Sequence, residues 1–164
     1  MHMQNNPTNM QQEPYYENVI LEIDEYLKNQ IQKDKWQYDY PLIEWLKAKV
    51  LEADEGRVKM EFKVEPYMLN PLGIMHGGIM STILDEVMGA ASFTLGRPNG
   101  FATINMNVDF LKPAKAGEII WAEGTIVRAG KSVLHIKAEL YNAKKHLLAK
   151  ATSNMIGTAV QVPI

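Results

Sequence analysis

Over residues 77 to about 95 the chain reads GGIMSTILDEVMGAASFTL, and its apolar residues Ile79, Met80, Ile83, Leu84, Val87, Met88, Ala90, Ala91 and Phe93 leave a helix there almost no polar face. Such a helix is stable only when neighbours cover most of its circumference. The rest of the chain supplies the cover. RVKMEFKV, ahead of the helix, alternates with Val58, Met60, Phe62 and Val64 on one face, the period of a half-buried strand. After the helix come FATINMNVDFL, EIIWAEGTIVR, SVLHIKAELYN and LLAKATSNMIGTAV, divided by turns near Pro113 and Gly117, at AGK and at AKKH. In the first of these, alternation puts Ala102, Ile104, Met106, Val108 and Phe110 inward, with Thr103, Asn105, Asn107 and Asp109 outward. Strands joined by short turns pair antiparallel. The expected architecture is therefore α+β, an antiparallel sheet wrapped around one long central helix.

The front of the chain differs. Residues 1–14, rich in Asn and Gln with Pro7 and Pro14, read as a disordered tail. Residues 15–56 read as an N-terminal helical extension: Val19, Ile20, Ile23, Leu27 and Ile31 recur at helical spacing, and beyond Pro41 a second helix or a strand are both open. Residues 57–164 form the sheet-and-helix domain, without repeats or linkers. No apolar run approaches the roughly 18 residues of a membrane span, and the polar N-terminus shows no signal peptide. The cytoplasm is the expected compartment. With no cysteine, disulfide, thiolate nucleophile and thiolate metal site are all excluded.

Charge is unevenly spread. Residues 1–57 carry 11 Asp/Glu against 6 Lys/Arg, a balance of −5, and residues 58–164 carry 8 against 11, a balance of +3. A mildly basic main domain suits an anionic small molecule. An acidic leader without a basic helix argues against nucleic acid.

Chemistry concentrates in NPLGIMHGGIMSTILDE, residues 70–86. Gly77 and Gly78 at the helix start allow close approach, and the first-turn N–H groups there lack helical partners. With the helix dipole, that end can hold an anion or a developing oxyanion; tight turn packing explains the glycines as well. Asp85, two turns further on, is a carboxylate on an apolar helix. It must meet water, a partner group or a subunit interface, as a base or through a plain hydrogen bond. Glu86 points about 100° round the helix, towards solvent or an interface. His76 has no serine, cysteine or acid placed for a triad, and His135 and His146 lack metal-ligand spacing with it. No G-x-S-x-G elbow and no phosphate-binding glycine loop occur.

NPLGIMHGGIMSTILDEVMGAA resembles the Asn-x-x-Gly-x-x-His-Gly-Gly…Asp signature of hotdog-fold acyl-CoA thioesterases of the PaaI-like type, and NVDFLKPAKAGE and VRAGKSV resemble that family's next landmarks. The resemblance spans residues 57–160. It implies a hotdog fold and hydrolysis of an acyl-CoA to free acid and CoA, with no cofactor, CoA being part of the substrate. It also implies roles. Gly77 would polarise the thioester carbonyl through its N–H, Asn70 would orient the thioester or water, and His76 would support the loop. Asp85 would act as base or nucleophile, across a dimer interface from the other subunit's Gly77. Thr103 falls where relatives carry a hydroxyl that helps position the water or carboxylate. Lys112, Lys115, Arg128 and Lys131, at strand ends or turns, are then candidates for the CoA phosphates. Sheet edges and a shared site call for a homodimer or a dimer of dimers. The alternative is a hotdog module that binds acyl-CoA without hydrolysing it. A hotdog dehydratase would need a different His/Glu or Asp/His arrangement.

Overall fold

Six strands form one sheet in the order β1-β2-β4-β5-β6-β3, every neighbouring pair antiparallel. They are β1 (Lys49–Asp54), β2 (Arg57–Lys63), β3 (Asn99–Phe110), β4 (Ile119–Ala129), β5 (Val133–Asn142) and β6 (Leu147–Gln161), with helices α1 (Pro41–Leu46) and α2 (Gly77–Phe93). The structure is a computed structural model and describes residues 41–161. The tail expected over residues 1–14 and the helix expected over residues 16–36 lie outside them. Among the described residues no helix is long and apolar enough to cross a membrane.

The long helix is covered as its composition requires. Met80, Ile83, Leu84, Val87, Met88, Ala90 and Ala91 are buried against the sheet. The sheet meets them with small side chains: Ala122, Gly124, Ala138, Ala149, Ala151 and Ser153 are buried on the face towards α2. Gly124 marks the closest approach, for a Cβ built there would stand 2.3 Å from the Val87 carbonyl oxygen. Larger residues, among them Phe62, Met60, Ile120, Leu134, Ile136 and Leu140, close the core around this trough. This is the hotdog arrangement, and the strands β2 to β6 fall within two residues of the alternating stretches.

Two expectations need correction. Of the extension expected over residues 15–56, where helix and strand are both open beyond Pro41, the described part is the short helix Pro41–Leu46 and then Lys49–Asp54, a strand paired with β2, so the sheet begins before residue 57. The inward and outward assignment of β3 also fails in its first half. Thr103 pairs with Met155 and Asn105 with Asn154, so Ile104 is an extra residue, a β-bulge. A bulge shifts the alternation by one. Thr103 therefore shares the helix side with Met155, Met106, Val108 and Phe110, while Ala102 pairs with Ile156 on the outer face. Ile104 itself is 55% exposed instead of inward.

Candidate active site

The start of α2 is built by three consecutive residues. His76 is the N-cap, and its Nδ1 accepts a hydrogen bond of 2.8 Å from the Gly78 N–H. An accepting Nδ1 carries no proton, so a neutral imidazole holds its proton on Nε2. Gly78 permits this cap, since a Cβ there would lie 2.9 Å from Nδ1. The Ile79 and Met80 N–H groups both bond the His76 carbonyl, at 2.9 and 3.1 Å, and the His76 N–H bonds the Met68 carbonyl. Gly77 is left over: its N–H has no acceptor among the described residues. The Phe110 ring covers Gly77, its Cζ 3.2 Å from where a Cβ would stand. Of the helix-start donors, the Gly77 N–H is thus the one available to a ligand.

The loop before the cap is held by Asn70. Its Oδ1 accepts from the Leu72 and Ile74 N–H groups (2.9 and 3.4 Å), and its own N–H donates to the Ile74 carbonyl. Gly73, at φ +73°, makes the reversal. The oxygen of Asn70 is therefore committed to the loop, and its amide N–H groups remain for other partners.

Asp85 lies on the side of α2 towards the β3 edge. Thr103 Oγ1 donates to Asp85 Oδ1 at 2.9 Å, a contact the bulge at Ile104 makes possible. Glu86, expected in solvent or at an interface, is largely buried. Burial, and secondarily the charge of Asp85, pushes its carboxyl up to about 7. Periodicity gave no sign of this: an acid beside Thr82 and Gly89 on the helix face away from the sheet reads as solvated until something covers it.

The four cations grouped by sequence do not form one cluster. The loop carrying Lys112 and Lys115 lies by the N-terminal end of α2, where the Met75 N–H bonds the Ala114 carbonyl. Arg128 and Lys131 flank the β4–β5 turn, which Arg97, just past the other end of α2, holds through the Gly130 carbonyl. The 17 residues of α2 separate the two groups by about 25 Å along the axis. His135 sits on the outer face, its Nδ1 3.0 Å from Asn154 Oδ1, and His146 lies in the β5–β6 turn.

Residues 72–149 match the family model described as the thioesterase superfamily. Human acyl-coenzyme A thioesterase 13 is 30% identical over 110 residues, 67% of this chain and 74% of that protein. The medium/long-chain acyl-CoA thioesterase YigI of Escherichia coli K12 is 28% identical over 137 residues, 73% of this chain and 88% of its own. Among solved structures, a Streptococcus mutans UA159 protein bound to acetyl CoA aligns with TM-score 0.66 and 25% identity, covering 70% of this chain and 91% of that one. The E. coli PaaI protein shares the fold, with TM-score 0.75 at 18% identity over 86% of this chain and 99% of its own.

Proposed function

The chain belongs to the thioesterase superfamily and is a thioester hydrolase, and from that premise we propose that it cleaves acyl-CoA to a free acid and CoA in a site shared by two copies. The free N–H of Gly77 carries this reading. In a helix start where every neighbouring donor is satisfied, one N–H remains for a thioester oxygen, at the positive end of the dipole. Asp85, held by Thr103, supplies the other half, as base towards a water or as nucleophile. Along the water route the water oxygen bonds the acyl carbon, Asp85 takes its proton, the C–S bond breaks, and the proton passes to the departing thiolate. Asn70 offers amide donors beside the helix start, and His76 holds that start in shape. Lys112 and Lys115 at one end, Arg128 and Lys131 at the other, are the cations for the CoA phosphates.

The need for two copies follows from spacing. Gly77 and Asp85 are eight residues apart on one helix, about 12 Å along its axis, too far to meet at one carbonyl. A two-fold pairing through β3 would bring Asp85 of each chain to the partner's Gly77. Among the described residues β3 is the edge strand beyond β6, and its first ten residues carry no charge, which suits pairing with a second copy.

Thiol release from a panel of acyl-CoAs, with Asp85→Asn beside the natural chain, tests the reading. The chain has no cysteine, so a thiol reagent meets no protein background. The expected result is turnover by the natural chain and a fall of at least about 100-fold in kcat in the variant, the scale of losing one group of a hydrolytic site. Binding of acyl-CoA without turnover would make the chain a binding module, and near-normal kcat in the variant would remove Asp85 from its role.

A further inference from the structure

The hydrogen bond from Thr103 to Asp85 depends on a break in the sheet, since an unbroken β3 would face Thr103 outward with Asn105. A bulge leaves its extra residue unpaired and disrupts the ladder beside it, so a bulge that aims a reacting group needs a restraint of its own. Here the extra residue is Ile104, between Thr103 opposite Met155 and Asn105 opposite Asn154. The residue after it is gripped from both faces of the sheet. On the helix side, the hydroxyl of buried Ser153 donates to the Asn105 carbonyl at 2.8 Å. On the outer side, Asn105 Oδ1 accepts the Asn154 backbone N–H at 3.2 Å and Asn154 Nδ2 at 3.1 Å.

These bonds decide which way each amide is turned. A backbone N–H only donates, so the atom that Asn105 presents to it is oxygen. Asn154 therefore turns its NH2 to that same oxygen, and its own Oδ1 faces His135 Nδ1 at 3.0 Å. An oxygen there accepts, so His135 donates and carries its proton on Nδ1. His76 is the reverse case, its Nδ1 being the acceptor. The three residues stand opposite one another on neighbouring strands, His135 on β5, Asn154 on β6 and Asn105 on β3. A single direction of donation thus runs from an interior strand to the edge strand. Turning any one amide over would set donor against donor or oxygen against oxygen.

We propose that Asn105 and Ser153 are positioning residues for the hydrolytic acid: they lock the bulge at Ile104 and so hold the Thr103 hydroxyl against Asp85, while Asn154 and His135 fix the turn of the Asn105 amide. By bonding Asp85 Oδ1, Thr103 sets the direction of Oδ2, the oxygen left for the water or the acyl carbon. The catalytic half of this inference rests on the acyl-CoA reading; the lock itself does not. Without the two grips β3 can rock about its unpaired residue, and a hydrogen bond weakens steeply once its angle opens. A row that only mended the sheet would matter equally whatever stood at position 103. A lock on Thr103 matters only while there is a hydroxyl at 103 to hold.

That difference is the test: a double-mutant cycle in the full chain, with Asn105→Ala, Thr103→Val and the two together assayed for acyl-CoA hydrolysis beside the natural chain. Each single variant should lower kcat on the order of tenfold, the weight of one hydrogen bond to a charged group, with KM within about twofold. The double variant should be no slower than Thr103→Val alone. Ser153→Ala should repeat the pattern, and it carries the cycle if Asn105→Ala does not fold. A second measurement needs no turnover. Three-bond couplings that report the Thr103 χ1 angle should show one rotamer in the natural chain and averaging in Asn105→Ala and Ser153→Ala. Losses that multiply in the double variant, natural kcat in both Asn105→Ala and Ser153→Ala, or couplings unchanged in both overturn the proposal. Averaged couplings in a chain that hydrolyses nothing would keep the lock and discard the catalytic reading; turnover with a multiplying cycle would do the reverse.

Discussion

His76, Gly77 and Gly78 each have a separate physical reason to be what they are. The imidazole caps the helix, Gly78 makes room for the imidazole, and Gly77 makes room for Phe110 while keeping its N–H open. Sequence showed the first-turn donors as a class; which of them stayed free depended on the His76 rotamer and on Phe110, neither of which has a period to read. Glu86 offers a measurement at this scale. Its folded pKa of about 7 lies above that of the unfolded chain, so between roughly 4.5 and 7 the folded state holds a proton the unfolded state has released. Its contribution to stability is thus fully present below the unfolded value and is lost as pH rises through 7. At 1.36 kcal/mol per pKa unit, and discounting for the water that still reaches the group, ionising Glu86 costs about 1–2 kcal/mol. Glu86→Gln should therefore match the natural chain in melting temperature at pH 4.5 and exceed it by several degrees at pH 8. Parallel melting curves across that range would show that Glu86 ionises without strain.

Among the elements, α2 and the strands after it were legible because their periods differ so plainly, and the structure sets them within two residues of the pattern. The stretch at residues 41–56 was not legible. Six helical residues followed by six in a strand give neither period enough length to show. The β3 face was misread for another reason: a bulge leaves the alternating residues in place while changing what they face, and only the partner strand reveals it. Packing of α2 on the sheet turns on Gly124, under which the Val87 carbonyl sits too close for any side chain. Gly124→Ala sets a methyl against backbone that cannot rotate away. It should cost about 2–4 kcal/mol, at or above the usual range for overpacking, seen as a lower denaturation midpoint with unchanged slope. A variant of natural stability would mean that α2 shifts freely on the sheet.

For the whole molecule, the two edges of the sheet differ. β1 is short and irregular and bears Glu52 and Asp54, whereas β3 is twelve residues long and uncharged until Asp109. If β3 pairs with its copy, Ile104→Lys with Asn107→Lys would set like charges against each other across the two-fold axis. The double variant should sediment as a smaller species and lose thioester hydrolysis while keeping its circular dichroism; unchanged size would place the shared edge elsewhere. Assembly was the least legible level, because one chain's sequence records an edge but not what meets it. The extra residue in β3 has a further consequence at this scale. Thr103 reaches Asp85 because the strand is one residue longer than its partner. A single residue inserted into β6 between Asn154 and Met155 would give Ile104 a partner and leave every polar group of the site encoded, yet turn the hydroxyl to the opposite face. In a lineage of such chains, a change of length at that one point could silence the chemistry as thoroughly as losing the acid itself.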